Sequence, residues 1–312
     1  MKIGGGKEPD FIKSLYGLSL SEPSFRGWTF TFGEHKSRRT GEGIEFDEYK
    51  PYEPGEDISK LDVEATLRTG EKLIRQDLTE EKVRYVVVID DSSSLGYYGM
   101  REVVFTALGC YLLSAVKDRD LVRTVVVGRK AFPEVSSPIY SSDDVLTLVL
   151  ELWRQSDTKS RVGSKLISFS QEVSRALSLL NTRIVFISDF AFIDVGPVYG
   201  PGEGRIEFRG HGVLKQAVDN FIGDGQFCEL AFVGVGANWK NFLPLRGFFP
   251  VRDAENRSSF LLHLNKRSAR NFVDSQYQRE RIWSEVARSL NVPMIWLHAG
   301  NNIVEELFGN IF

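Results

Sequence analysis

The chain has 312 residues, 42% of them hydrophobic and 26% charged, with 39 basic against 42 acidic side chains. This composition excludes a disordered chain, a collagen-like repeat and a coiled coil, and the length suffices for a sizeable core in one large domain or two ordinary ones. A net charge of −3 gives no overall pull towards nucleic acid or an anionic membrane, and two cysteines do not make a disulfide framework.

No apolar run approaches the roughly 18 residues of a membrane span, and the first residues lack the apolar stretch of a signal peptide. The expected location is therefore the cytoplasm. Residues 1–80, with 12 basic and 16 acidic side chains, are expected to form an irregular, β-containing segment packed on the rest. Glycines open it, and a short helix is expected from Phe11 to Leu18. Ser24 to Phe32 alternates as a strand does. Residues 33–46 are polar and turn-rich. From Tyr49 to Asp57, two prolines and a glycine forbid a regular helix. A helical turn at Asp62–Arg68 or a strand through Leu73–Leu78 follows.

The pattern changes at Val83. Arg84 to Asp90 is a short, β-branched apolar run, suited to a strand buried on both faces. Val103, Val104, Ala107, Leu108, Tyr111, Leu112 and Ala115 recur at helical spacing and predict an amphipathic helix. Cys110 falls within it and, like Cys228 in a later strand, reads as a small buried hydrophobe. A strand at Leu121–Val127, an edge strand near Val135–Tyr140 and a helix at Asp143–Trp153 capped by Ser141 or Ser142 come next. Ser164–Leu180 reads as a helix and Thr182–Asp189 as a buried strand. Residues 191–212, rich in glycine and proline, form the largest irregular stretch. A helix at Val213–Ile222, a strand at Phe227–Val235, a hairpin or edge strands at 248–264, a helix at Asn265–Leu290, a strand at Pro293–Leu297 and a helical turn at Ile303–Phe308 complete the chain. Alternating strands and helices over 81–312 predict an α/β domain, a doubly wound and mainly parallel sheet.

Ligands in such sheets bind at the carboxyl ends of strands, and two strands here end in aspartate, Asp90 and Asp189. Asp90-Asp91-Ser92-Ser93-Ser94 places a carboxylate and two hydroxyls at alternate positions, which face one way in an extended turn. Oxygen ligands with open positions suit a hard cation such as Mg²⁺. Asp189 adds a second carboxylate, and Ser164, just before a helix, is the best further hydroxyl. One directly bound carboxylate leaves a dication undercompensated, so an open position favours an acidic side chain from a partner. The bland alternative is a serine-rich turn in which Asp90 or Ser92 caps the next helix. None of His35, His211, His263 and His298 has paired metal-ligand spacing. Asp91 is the only nearby candidate for a general base, and strand alternation points it away. Receiver-domain, aspartate-phosphatase and phosphate-loop readings each lack a required residue: a lysine at a strand end, Asp-x-Asp, and the full glycine spacing of the loop.

The stretch Gly41-Glu-Gly43 to Gly55-Glu56-Asp57-Ile58-Ser-Lys-Leu61-Asp62, followed by Ala65-Thr66-Leu-Arg68-Thr69, resembles the signature of the DUF58 proteins. The spacing to Asp-x-Ser-x-Ser and the run from Asn265 through Tyr277 to Phe308 agree with that resemblance. It implies a von Willebrand factor A-like domain with a metal-ion-dependent adhesion site. It also implies a non-enzymatic, adaptor-like role beside MoxR-type AAA+ ATPases in the assembly or maturation of client complexes. By position, Asp90, Ser92 and Ser94 match the first metal motif, Asp189 the later aspartate, and Ser164 the usual threonine. Glu56 and Val63 depart from the usual aspartate and tryptophan. The expected ligand is Mg²⁺ or Mn²⁺, and the expected partner is a MoxR-type ATPase or a client presenting an acidic side chain. Two alternatives are a metal-dependent hydrolase and a structural interaction protein with an empty site.

Three surface features complete the reading. The loop at 191–212 is expected to border the site and help select the partner. The seven acids of 42–57 are expected to act internally, pairing with Arg38, Arg39 and Arg68. Tyr97 and Tyr98 read equally as recognition aromatics or as cover for the helix start.

Overall fold

The computed structural model describes residues 9–20, 38–41, 45–80, 84–127, 134–156, 182–191, 197–199, 206–208, 215–216, 218–219, 228–252 and 259–308. The expected strand at 24–32 and helix at 164–180 lie outside these residues, as do Ser164 and most of the 191–212 loop. The chain divides into two compact units, one of residues 34–82 and the other of 1–33 with 83–312.

The small unit holds three antiparallel strands, β1 (Arg38–Gly41), β2 (Glu45–Pro51) and β3 (Leu73–Glu80), in the order β1-β3-β2. Helix α2 (Val63–Thr69) interrupts them. Both readings offered for 62–78 are therefore present, one after the other. Strands β1 and β2 fall in stretches that read as turn-rich, because neither shows clean apolar alternation. Asp62 caps α2 by accepting from the Ala65 amide at 2.9 Å, and its other oxygen accepts from the Tyr49 hydroxyl at 3.0 Å. Gly70 ends the helix in the left-handed region, φ 79°. Two acids of the signature bond within it, while the Arg38 and Arg39 side chains lie outside those described. Glu56 accepts from Lys50 at 2.5 Å and from the Glu53 amide, and Asp57 accepts from the Ser59 amide.

The large unit is built on a six-stranded sheet. Its strands are β4 (Arg84–Asp90), β5 (Leu121–Val127), β6 (Glu134–Val135), β7 (Thr182–Ser188), β10 (Cys228–Gly236) and β13 (Met294–His298). Their order is β13-β10-β7-β4-β5-β6; all pair in parallel except the short edge strand β6. This is the doubly wound, mainly parallel α/β sheet that the alternation predicts. Two short strands, β8 (Pro197–Tyr199) and β9 (Ile206–Phe208), pair antiparallel within the stretch read as irregular.

Alternation along β4 sends Tyr85, Val87 and Ile89 to one face of the sheet and Val86 and Val88 to the other. The first face is covered by helices α1 (Asp10–Leu20), α3 (Met100–Lys117), α4 (Ser142–Gln155) and α6 (Ile303–Phe308). The second is closed by Ile282, Trp283, Val286 and Ala287 of α5 (Lys266–Ser289). Each such side chain stabilises the fold by about 1.5–3 kcal/mol when fully buried.

Helix α3 corrects the amphipathic expectation. Fourteen of its 18 residues are buried, as in a helix wrapped on all sides. Its outward face is covered by α1, α4 and α6. The approach of α1 is so close that a Cβ on Gly109 would lie 2.3 Å from Leu15. Trp153 of α4 packs edge-on against both Phe11 and Phe105, with Arg101 over its ring. Ser141 caps α4 through a capping box with Asp144. The final hairpin is β11 (Gly247–Arg252) with β12 (Ser259–Leu264), antiparallel. Among the described residues no helix is long and apolar enough to cross a membrane.

Candidate metal site

β4 lies between β5, reached first along the chain, and β7, which pairs on its other side. The carboxyl ends of β4 and β7 therefore flank the point where the strand order reverses, the usual place for a ligand in an open α/β sheet. Asp90 ends β4, Ser188 ends β7, and Asp189 follows it directly.

Four of the five expected site residues are described, and they come together there. Asp90, Ser92 and Asp189 are buried, and Ser94 is partly so. One oxygen of Asp90 accepts from the Ser92 amide at 2.9 Å, folding the loop back on the carboxylate. The Ser92 and Ser94 hydroxyls are 3.0 Å apart. Their convergence arises differently from expectation. The backbone is extended at Ser92 but turns into a 3-10 helix over Ser93–Gly96, so the hydroxyls meet across a tight turn. The capping alternative is not what the loop adopts. Ser92 makes no side-chain cap bond, and Gly99 occupies the N-cap position of α3. The fifth residue, Ser164, lies outside the described residues.

Ser188 is a site residue that the sequence reading passed over. Its hydroxyl donates to the second oxygen of Asp90 at 2.9 Å and accepts from the Phe190 amide at 3.0 Å. The signal was its place at the end of a buried strand, beside Asp189. Phe190 is the second such residue. It sits in the left-handed region, φ 51°, fully buried, a strained conformation for a bulky side chain. Its ring packs on Phe186, Phe232, Trp283 and Trp296. This aromatic anchor fixes the turn in which Asp189 accepts from the Ala191 amide at 3.0 Å.

The electrostatics of the cluster are those of like charges held close. Burial first, and then the charge of Asp189, push the Asp90 carboxyl above the usual carboxylate range, while the bonds from Ser188 and Ser92 oppose the shift. The donor set of carboxylates and hydroxyls is entirely oxygen, which fits a hard dication, and a dication relieves repulsion between two carboxylates. Among the described residues no group of three or more His, Cys, Asp and Glu side chains is arranged to hold a metal. The present set is of another kind, two carboxylates with hydroxyls. The two described histidines are elsewhere: His298 bonds Glu280 at 3.0 Å, and His263 lies on β12.

Asp91 is buried, and its amide extends the pairing with β5 by donating to the Val127 carbonyl at 2.8 Å. Tyr97 and Tyr98 follow the 3-10 turn and are 48% and 61% exposed. Tyr98 has φ 56° and meets Phe242 edge-on at 5.0 Å.

No curated protein matches the chain in sequence. Among solved structures it is similar to BatB, a conserved hypothetical protein from Bacteroides thetaiotaomicron, at 15% identity and TM-score 0.38, over 72% of this chain and 94% of that one. The pilus adhesin SpaC from Lactobacillus rhamnosus GG, in its open conformation, is similar at 11% identity and TM-score 0.40, over 74% of this chain but 29% of that one. A von Willebrand factor type A protein from Catenulispora acidiphila is similar at 12% identity and TM-score 0.31, over 52% of this chain and 35% of that one. The family model described as "protein of unknown function DUF58" matches residues 48–195. That span runs from β2 through the Asp90 loop to the turn after Asp189, so the part of the chain that is similar to the DUF58 family is the part that carries the candidate site.

Proposed function

We propose that this protein is a non-enzymatic, cytoplasmic adaptor that grips a partner protein through a divalent cation. Asp90, Ser92, Ser94 and Asp189 would hold Mg²⁺ or Mn²⁺, with Ser164 as the hydroxyl from a third loop. When bound, the cation supplies an open coordination position that attracts a carboxylate from the partner. The partner is a MoxR-type AAA+ ATPase or its client, and the role is assembly or maturation of client complexes.

The observation that carries this reading is the meeting of two buried carboxylates, Asp90 and Asp189, with the Ser92 hydroxyl at the switch point of the sheet. Burying like charges together opposes folding unless something of opposite sign is recruited. The chain's own residues do the remaining work. Ser188 and the Ser92 amide orient the Asp90 carboxylate. Phe190 fixes the turn beside Asp189, and the exposed Tyr97 and Tyr98 flank the loop as contacts for the partner.

The test is complex formation with a purified MoxR-type ATPase at constant Mg²⁺, comparing wild type with Asp189→Asn. Constant Mg²⁺ keeps the ATPase itself loaded. The expected result is a complex with wild type that the variant weakens at least about tenfold, the loss typical of a buried charged contact. Equal affinity would remove the cation from the interface. No complex with either would remove the ATPase as partner.

A further inference from the structure

The hairpin β11–β12 carries a surface unrelated to the cation site. Its register pairs Phe248 with His263 and Pro250 with Leu261. By strand alternation these four side chains share one face, and all four are exposed, Phe248 by 68% and Leu261 by 64%. Phe248 and His263 stack with ring centroids 4.6 Å apart. The opposite face takes Phe249 and Leu262, half-buried, and Leu264, buried. A hairpin with one face on its own chain normally turns polar side chains outward. This one is apolar on both faces, the mark of a surface kept for a partner.

Charge defines the partner. The pair Gly247–Leu264 closes the base of the hairpin. Arg246 precedes it, and Lys266, Arg267 and Arg270 follow it at the start of α5; all four are exposed. Lys266, Arg267 and Arg270 make no ion pair among the described residues. They sit where a helix dipole disfavours cations, and the first turn of α5 has no acid. Helix stability therefore does not account for them. The Asn265–Ser268 capping box already satisfies the leading amides, so the helix end is not itself an anion site.

We propose that this face docks an acidic protein segment bearing apolar side chains, its carboxylates on the basic base of the hairpin and its apolar groups against Phe248 and Leu261. Docking is through side chains rather than by adding a strand to β11, because Pro250 has no amide proton to offer at that edge. An anionic membrane is the weaker fit. The sequence between the two strands, residues 253–258, reads Asp-Ala-Glu-Asn-Arg-Ser and so carries two acids against one base, a composition that anionic lipid does not favour.

The test uses the full chain and fluorescence anisotropy with three short synthetic peptides: glutamate alternating with leucine and phenylalanine, lysine in the same alternation, and glutamate alone. The expected result is binding of the first at least about fivefold tighter than either control. Phe248→Ser/Leu261→Ser and Lys266→Glu/Arg267→Glu should each abolish that preference. The charge-reversed variant should do so with Tm unchanged or slightly raised, since it restores acids to the helix start, and its effect should shrink in high salt. Binding that both variants leave intact, or no preference for the first peptide, overturns the proposal. So does binding to phosphatidylserine vesicles that Phe248→Ser abolishes, which would make the face a membrane contact. A concentration-dependent dimer lost in the same variant would assign it to a second copy instead.

Discussion

At the amino ends of β7 and β10, Arg183 donates to Glu229, its neighbour across the ladder, and at 2.6 Å to the hydroxyl of Tyr85 on β4. At the carboxyl ends of β4 and β7, Asp90 lies against Ser188 and near Asp189, a charge of its own sign. The same strands thus present a neutralised cluster at one end and a like-charged cluster at the other. The first is complete within the chain, as structural ion pairs are. The second gains most from a cation supplied from outside. The difference is what favours the carboxyl edge as the place of the proposed cation site.

The comparison can be broken most forcefully at Phe190. Phe190→Ala removes a fully buried ring and should destabilise by about 3–5 kcal/mol. If the ring also positions Asp189, the residual folded protein should lose its response to Mg²⁺. Chemical denaturation with and without Mg²⁺ reads both effects. At the other end, Arg183→Met strips the donors from Glu229 and the Tyr85 hydroxyl. These groups are largely but not fully buried, so the expected loss is about 1–3 kcal/mol, with the Mg²⁺ response intact. A variant that lowered both equally would show the two ends to be coupled rather than separate.

A smaller effect belongs to the neighbouring strands. Glu280, buried on α5, accepts from the Trp239 indole at 2.6 Å and bonds His298 at the end of β13. A Cβ on Gly236 would lie 2.9 Å from Glu280 and 2.7 Å from His298, so only glycine fits between them. The bond to Glu280 raises the His298 pKa. Its contribution to stability is therefore full below the unfolded value of about 6.5 and fades as pH rises through the folded value. Its share of the fall in Tm between mildly acidic and mildly basic pH should be about a degree or two, lost in His298→Gln, while the share set by the raised Asp90 carboxyl should remain.

The sequence made the sheet legible because its strands are written as continuous apolar runs. Arg84–Asp90 and Thr182–Asp189 could hardly be anything else. It concealed β1 and β2, whose charged residues and prolines read as turns. It also misrepresented α3. Helical spacing identified one apolar face, while Phe105, Gly109 and Leu113 on the other side are buried as well, Gly109 under Leu15 of α1 and Phe105 against Trp153 of α4, and nothing in local periodicity announces that distant cover. Within the site, Asp90, Ser92 and Ser94 were visible because one spacing links them. Ser188 was not, since its partner is 98 residues away. Phe190 was hidden for another reason, since a phenylalanine in left-handed backbone has no signature in sequence.

The central claim is that the like-charged end holds a divalent cation. It is tested by thermal unfolding with Mg²⁺ or Mn²⁺ against chelator, on wild type and Asp90→Ala. At about 100 times its dissociation constant the cation should add roughly 2.7 kcal/mol, a rise in Tm of at least a few degrees for a chain of this size. The rise should be absent in Asp90→Ala. An unchanged wild-type Tm at saturating concentrations of either metal, or an equal rise in the variant, would contradict it.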